Sequence, residues 1–191
     1  MTFSLILKRL ILGVFLTAAG GVLPLLMAQA TKAQTSPQTA NIQIEAKVNP
    51  ACKITGTQGI NFGDYDPLGL HAATALDEQG QVSIKCLRNT QVSIKLDQGA
   101  NAAPGSSCTS PLRQMRNSSA VLPYGLYKDT ARSQVWGCDA SNDVEYTASN
   151  AAIQNFTIYG RIPAANDLPA GTLDQLEVGT YTDNVQVTVS F

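Results

Sequence analysis

Tyr181-Thr182-Asp183-Asn184-Val185-Gln186-Val187-Thr188-Val189-Ser190-Phe191 is the stretch that decides the fold. Asp183, Val185, Val187, Val189 and Phe191 fall on one face, apolar except for the aspartate. Thr182, Asn184, Gln186, Thr188 and Ser190 fall on the other. Successive side chains of a strand point to opposite faces, so this alternation predicts a strand with one face buried and one wet.

The same period recurs upstream. Ile42, Ile44, Ala46 and Val48 alternate with Asn41, Gln43, Glu45 and Lys47 until Asn49-Pro50 breaks the run, which predicts a strand near the start of the chain. Asn61-Phe62-Gly63-Asp64-Tyr65-Asp66-Pro67 reads as a short strand entering an Asp-Pro turn. Gln81-Val82-Ser83-Ile84-Lys85 returns letter for letter as Gln91-Val92-Ser93-Ile94-Lys95. Two copies are too few for a solenoid and predict two successive strands joined around Leu87 to Thr90. Residues 98–119, with Gly99, Pro104, Gly105 and Pro111, read as loop. Tyr124 to Lys128 and Ile153 to Ile162 read as strands, the latter stopped by Pro163. Seven or eight short strands without long apolar runs predict an all-β antiparallel sandwich.

The start of the chain predicts export. Lys8 and Arg9 precede an uncharged run from Leu10 to Met27, and Ala28-Gln29-Ala30 supplies the small-x-small pattern of a signal-peptidase site. As a membrane anchor this run would be marginal, and Gly20-Gly21 and Pro24 interrupt it. Cleavage after Ala30 removes two of the 13 basic and none of the 14 acidic residues, leaving 161 residues with a formal charge of −3. That balance offers no electrostatic basis for binding nucleic acid or an anionic membrane. Residues 31–48 then form a polar leader followed by the first amphipathic segment, and residues 49–191 are of one-domain length. Cys52, Cys86, Cys108 and Cys138 all lie in this exported part. An even count in an oxidising compartment reads as two disulfides. Four cysteines allow three connectivities. The sequential pairing, Cys52–Cys86 and Cys108–Cys138, would close two loops of about 30 residues, each worth about 3–4 kcal/mol in the chain-entropy picture. Zinc fits poorly, because C-x-x-C is absent and His71 is the single histidine.

Little in the sequence suggests catalysis or a cofactor. His71 stands alone, so a nucleophile would lack its usual base. Asp64/Asp66 and Asp77/Glu78 are paired carboxylates, but beside Gly63, Pro67 and Gly80 they read as turn caps. The EF-hand spacing is missing. Trp136, Tyr124 and Tyr127 could stack on a sugar, and the plainer reading is core packing. Asn117-Ser118-Ser119 and Asn155-Phe156-Thr157 match a short glycosylation pattern, the second inside a predicted strand. The two ends are less ordinary. An amphipathic strand precedes the first cysteine, and another ends the chain with nothing to cover its edge. Both could pair within one chain, or an open edge could accept a strand from a neighbour.

One resemblance favours the second arrangement. Cys52, Asn61-Phe62-Gly63, Tyr65-Asp66-Pro67 and Ile84-Lys85-Cys86 resemble the first half of the spore coat protein U domain. Tyr124-Gly125-Leu126-Tyr127-Lys128-Asp129, Trp136-Gly137, Tyr159-Gly160-Arg161-Ile162-Pro163-Ala164, Pro169-Ala170-Gly171 and Tyr181-Thr182-Asp183 continue it to Phe191. That domain is similar to subunits of archaic chaperone–usher pili. The resemblance implies an immunoglobulin-like antiparallel β-sandwich, incomplete until a donated strand from another chain fills it. It implies a structural pilus subunit without enzymatic activity, passed from a periplasmic chaperone to an outer-membrane usher and joined to neighbouring subunits at the cell surface. Adhesion and biofilm formation would be its uses. Ile42, Ile44 and Ala46 would then be donor side chains, and Val185, Val187, Val189 and Phe191 would line the acceptor groove. Leu173 to Val178 departs from the pattern as an insertion. A secreted carbohydrate-binding module, or a spore-coat or matrix sandwich, is the competing expectation.

Overall fold

The computed structural model describes residues 36–191. The expected signal peptide (residues 1–30) and the first residues of the leader lie outside the described residues. The chain divides into two units at Glu45/Ala46. Residues 37–51 carry no strand, and Ile42 and Ile44 are 85% and 91% exposed. The strand expected over residues 41–48 is therefore absent. Alternation prepares one face for burial, but a strand also needs a partner edge, and this segment pairs with none.

Eight strands are seen among the described residues: β1 Cys52–Gln58, β2 Leu76–Cys86, β3 Gln91–Leu96, β4 Arg113–Asn117, β5 Ala120–Tyr127, β6 Val144–Thr147, β7 Ile153–Ile162 and β8 Val187–Ser190. They form two antiparallel sheets, one ordered β1-β2-β7-β5-β4 and the other β6-β3-β8. The repeated pentapeptide explains how the core forms. Val82 and Ile84 on β2 and Val92 and Ile94 on β3 face inward from opposite sheets, at most 4% exposed. Leu122, Tyr124 and Leu126 of β5 and Ile158 and Ile162 of β7 fill the space between them. The chain passes from sheet to sheet at Leu87–Thr90, where Asn89 adopts φ 65°, a left-handed conformation that asparagine tolerates.

Disulfides join Cys52 to Cys86 and Cys108 to Cys138. The first fastens β1 to β2. The second ties the loop before β4 to the segment after Trp136.

Three local expectations are corrected. The strand expected around Phe62 lies earlier, as β1, and Ile60 and Phe62 instead pack against the core without ladder bonds. β4 runs through the stretch read as loop, because its inward residues are the polar Arg113 and one half-buried methionine, Met115, too few to give an apolar alternation. The closing strand is shorter than its alternation. Thr182 bridges to Arg116 of β4 in one sheet, Asn184 and Gln186 bond to the loop at residues 97–100, and only from Val187 does the chain pair with β3 in the other.

Candidate functional site

β8 pairs with β3 on one side, and among the described residues no strand is hydrogen-bonded on the other, where β1 comes near without pairing. β1 likewise pairs with β2 alone. The two edges flank a cavity of about 510 Å³. Its floor reaches the centre of the sandwich through Leu96, Leu126 and Ile158, none more than 8% exposed. One wall is the end of β1 continuing into Ile60 and Phe62, and the other is Tyr181, Val185 and Val187. The first wall lies close because two glycines lie beneath it. A Cβ on Gly80 would stand 2.7 Å from both the Gln58 carbonyl oxygen and Ile60 Cγ1, and one on Gly160 would stand 2.9 Å from Ile60 Cδ1 and the Phe62 ring.

A polar group is built into the opposite wall. Tyr124 donates its hydroxyl to Asp183 Oδ2 at 2.7 Å, and the Asn101 backbone N–H and Nδ2 donate to Oδ1, each at 3.1 Å. Burial, and then the bond to and charge of Asp183, raise the Tyr124 hydroxyl far above its usual range, so it stays a donor. Behind the floor Arg113 is 2% exposed and bonds only to carbonyls, those of Leu96 (3.0 Å), Asp97 (2.8 Å) and Trp136 (2.9 Å). Burial lowers its pKa, against the opposing pull of Tyr124, Asp97 and Asp183, and a guanidinium remains charged throughout. This cation ties the loop after β3 to the Trp136 segment and so holds the groove's base. Asp183 was visible in the sequence as the one polar residue on an apolar face. Arg113 carried no such signal.

The groove residues expected from the sequence do not all reach the cavity. Val185 and Val187 line it, Val189 packs half-buried against the core, and Phe191 is 59% exposed beyond the end of β8. Ile42, Ile44 and Ala46 are exposed and outside any ladder. The Leu173 to Val178 segment forms a 3₁₀ turn at Leu173–Gln175, and Tyr181 fastens it by bonding the Glu177 backbone at 2.8 and 3.0 Å.

The remaining chemical candidates have structural roles. Asp66 caps its turn by accepting from the Leu68 and Gly69 N–H groups, and His71 Nδ1 accepts the Asp66 N–H. Asp77 is not a turn cap, as expected above, but an ion-pair partner of Arg161 and Arg132 at 2.7 and 3.1 Å. Trp136 is 1% exposed and donates to the Ile94 carbonyl, so it serves as core. Among the described residues no three His, Cys, Asp or Glu side chains converge.

Residues 38–188 match the family model described as the Spore Coat Protein U domain. Protein U of Myxococcus xanthus is 32% identical over 157 residues, covering 78% of this chain and 87% of that protein. Among solved structures, similarity extends to a chain of the chaperone–tip adhesion subunit pre-assembly complex from the archaic chaperone–usher Csu pili of Acinetobacter baumannii. There the TM-score is 0.51 and the identity 25%, over 75% of this chain and 40% of that chain's length. The P pilus rod subunit PapA shares the fold at TM-score 0.52 and 12% identity, over 73% of this chain and 97% of that one.

Proposed function

We propose that this chain, which belongs to the Spore Coat Protein U domain family, is a structural subunit of an exported chaperone–usher pilus. It would polymerise by donor-strand exchange at the cell surface, in support of adhesion and biofilm formation. One observation carries the reading: a cavity of about 510 Å³, with an apolar floor at Leu96, Leu126 and Ile158 and a partly polar rim, stays open between two unpaired strand edges, in a chain whose own leader presents Ile42 and Ile44 to solvent. An unpaired edge over exposed apolar side chains is a liability that proteins normally cover. Here a second copy's leader supplies the cover, its backbone pairing with β8 and its isoleucines entering the groove. Before assembly a periplasmic chaperone would occupy the same edge, and an outer-membrane usher would host the exchange. The role is architectural rather than catalytic. The family description also allows assembly into a coat or matrix, where the same groove would join copies.

A synthetic peptide of residues 36–50 tests the groove. It should raise the melting temperature of the folded domain, and the Ile44→Asp peptide should not, because burying an unpaired carboxylate costs several kcal/mol or forces its protonation. Equal effects of the two peptides would contradict the donor assignment.

A further inference from the structure

The end of the sandwich from which the leader departs has a feature the groove does not use. Lys53 and Lys85 stand directly opposite each other across the β1–β2 ladder, both exposed. Like charges in that position destabilise a sheet. Lys47 and Arg88 add to the same end, and residues 46–53, 85–91 and 147–153, brought together by the Leu87–Ala51 and Asn89–Ala148 backbone bonds, contain no carboxylate, the nearest in sequence being the exposed Glu45 and Glu145. Among the described residues none of the four cations is in an ion pair. Between them lies a hollow of about 240 Å³ lined by Ala51, Leu87, Ala151 and the Cys52–Cys86 bridge. A basic rim around an apolar hollow is a surface suited to an acidic partner with protruding apolar side chains.

The opposite end of the same chain has that character. β2 and β7 carry the chain from Lys85↔Ile153 to Leu76↔Ile162, a length of about 30 Å at 3.3 Å per residue. The segments beyond Leu76 and Ile162 carry exposed Asp64, Asp167, Asp174 and Glu177, together with protruding Leu68 and Val178, which are 82% and 105% exposed. Arg161 and Arg132 are both held by Asp77, and Arg116 on β4 is the remaining exposed cation on this side. The large cavity opens here too, between Gln58–Phe62 and Thr180–Asn184.

We propose that the two ends are docking faces for each other, the basic end of one copy seating on the acidic end of the next. This rests on the groove reading above. If Ile42 to Ala46 occupy a neighbour's groove, only residues 47–51 separate them from Cys52, a reach of at most about 20 Å at 3.3–3.6 Å per residue. The leader therefore delivers the basic end to the neighbour's groove mouth. The charges steer the encounter and set the angle between copies, and the groove supplies the affinity.

Charge reversal tests the idea in the whole exported chain, with self-association followed by sedimentation and light scattering. Lys53→Glu/Lys85→Glu/Arg88→Glu reverses one end and Asp167→Lys/Asp174→Lys/Glu177→Lys the other, all at exposed positions. Each set alone should slow association about tenfold at low salt. The difference should vanish at about 0.5 M NaCl, where the screening length falls to roughly 4 Å. The chain carrying both sets should recover the parent rate. Parent-like rates in both single sets, failure of the combined set to recover, or a parent that never self-associates would each overturn the docking. Normal association with lost adsorption to anionic vesicles would reassign the basic end to a membrane surface. The peptide of residues 36–50 separates the two claims. If it stabilises every variant while the combined set shows no rescue, docking falls and the groove stands. If it stabilises none, including the parent, the groove reading falls.

Discussion

Tyr124 and Asp183 show how a polar pair is satisfied within the cavity wall. The hydroxyl donates to a carboxylate whose other oxygen is held by Asn101, so no lone charge faces the cavity. Tyr124→Phe removes one partner and leaves Asp183 under-satisfied, a loss of about 1–3 kcal/mol. Thermal melting should register it as a fall of roughly 3–10 °C, and an unchanged midpoint would show that the pair is not structural. Asp77 gives a pH dependence of known sign. The hydrogen bond from Arg161, and then the charges of Arg132 and Arg161, hold its carboxyl below the usual range against the opposing effect of burial. A carboxylate depressed in the folded state adds stability above its unfolded value near 4, and that stability is lost as pH falls through the folded value. Because the pair is a third exposed, the effect is small. Asp77→Asn should therefore lower stability slightly at neutral pH, where the ion pair contributes, and flatten the acid limb, with parent and variant converging below the folded value.

At the scale of elements, the groove depends on how closely Ile60 and Phe62 lie over β2 and β7. Gly160→Val places atoms where the Phe62 ring now rests. It should cost about 1–3 kcal/mol by overpacking and push the two side chains toward the cavity. Weaker stabilisation by the peptide of residues 36–50, beyond the loss of intrinsic stability, is the expected signature, and peptide binding equal to the parent's would show that this wall does not shape the groove. The same elements show what the sequence could convey. β2, β3, β5, β7 and the closing alternation were legible because each buries one apolar face, and period two reports burial directly. β4 was invisible because an arginine satisfied by carbonyls takes one of its two inward positions and leaves Met115 as the single apolar one. β6 is four residues long and alternates too briefly to stand out. The break in the last strand was also hidden, since alternation records which side is buried and not which sheet supplies the partner. The cavity itself was read through Val185 and Val187, while Ile60, Phe62 and their glycine seat come from segments distant in sequence.

Residues 46–191 form a sandwich stapled by two disulfides and left open along one seam. Each bridge closes a loop of 34 or 30 residues, and removing either should cost about 2–5 kcal/mol, seen as a lower denaturant midpoint for Cys108→Ala/Cys138→Ala. The open seam is the central claim, and moving the leader tests it most directly. Residues 35–50 placed behind Phe191 through a short Gly/Ser linker give each chain its own strand at millimolar-range effective concentration. Burying two isoleucines is worth about 1.5–3 kcal/mol each. The measurement is thermal melting with oligomeric state, parent against rearranged chain. A monomer melting roughly 10 °C above a parent that self-associates is the predicted result. A parent that is already a cooperative monomer, and gains nothing from the added strand, would contradict an open groove.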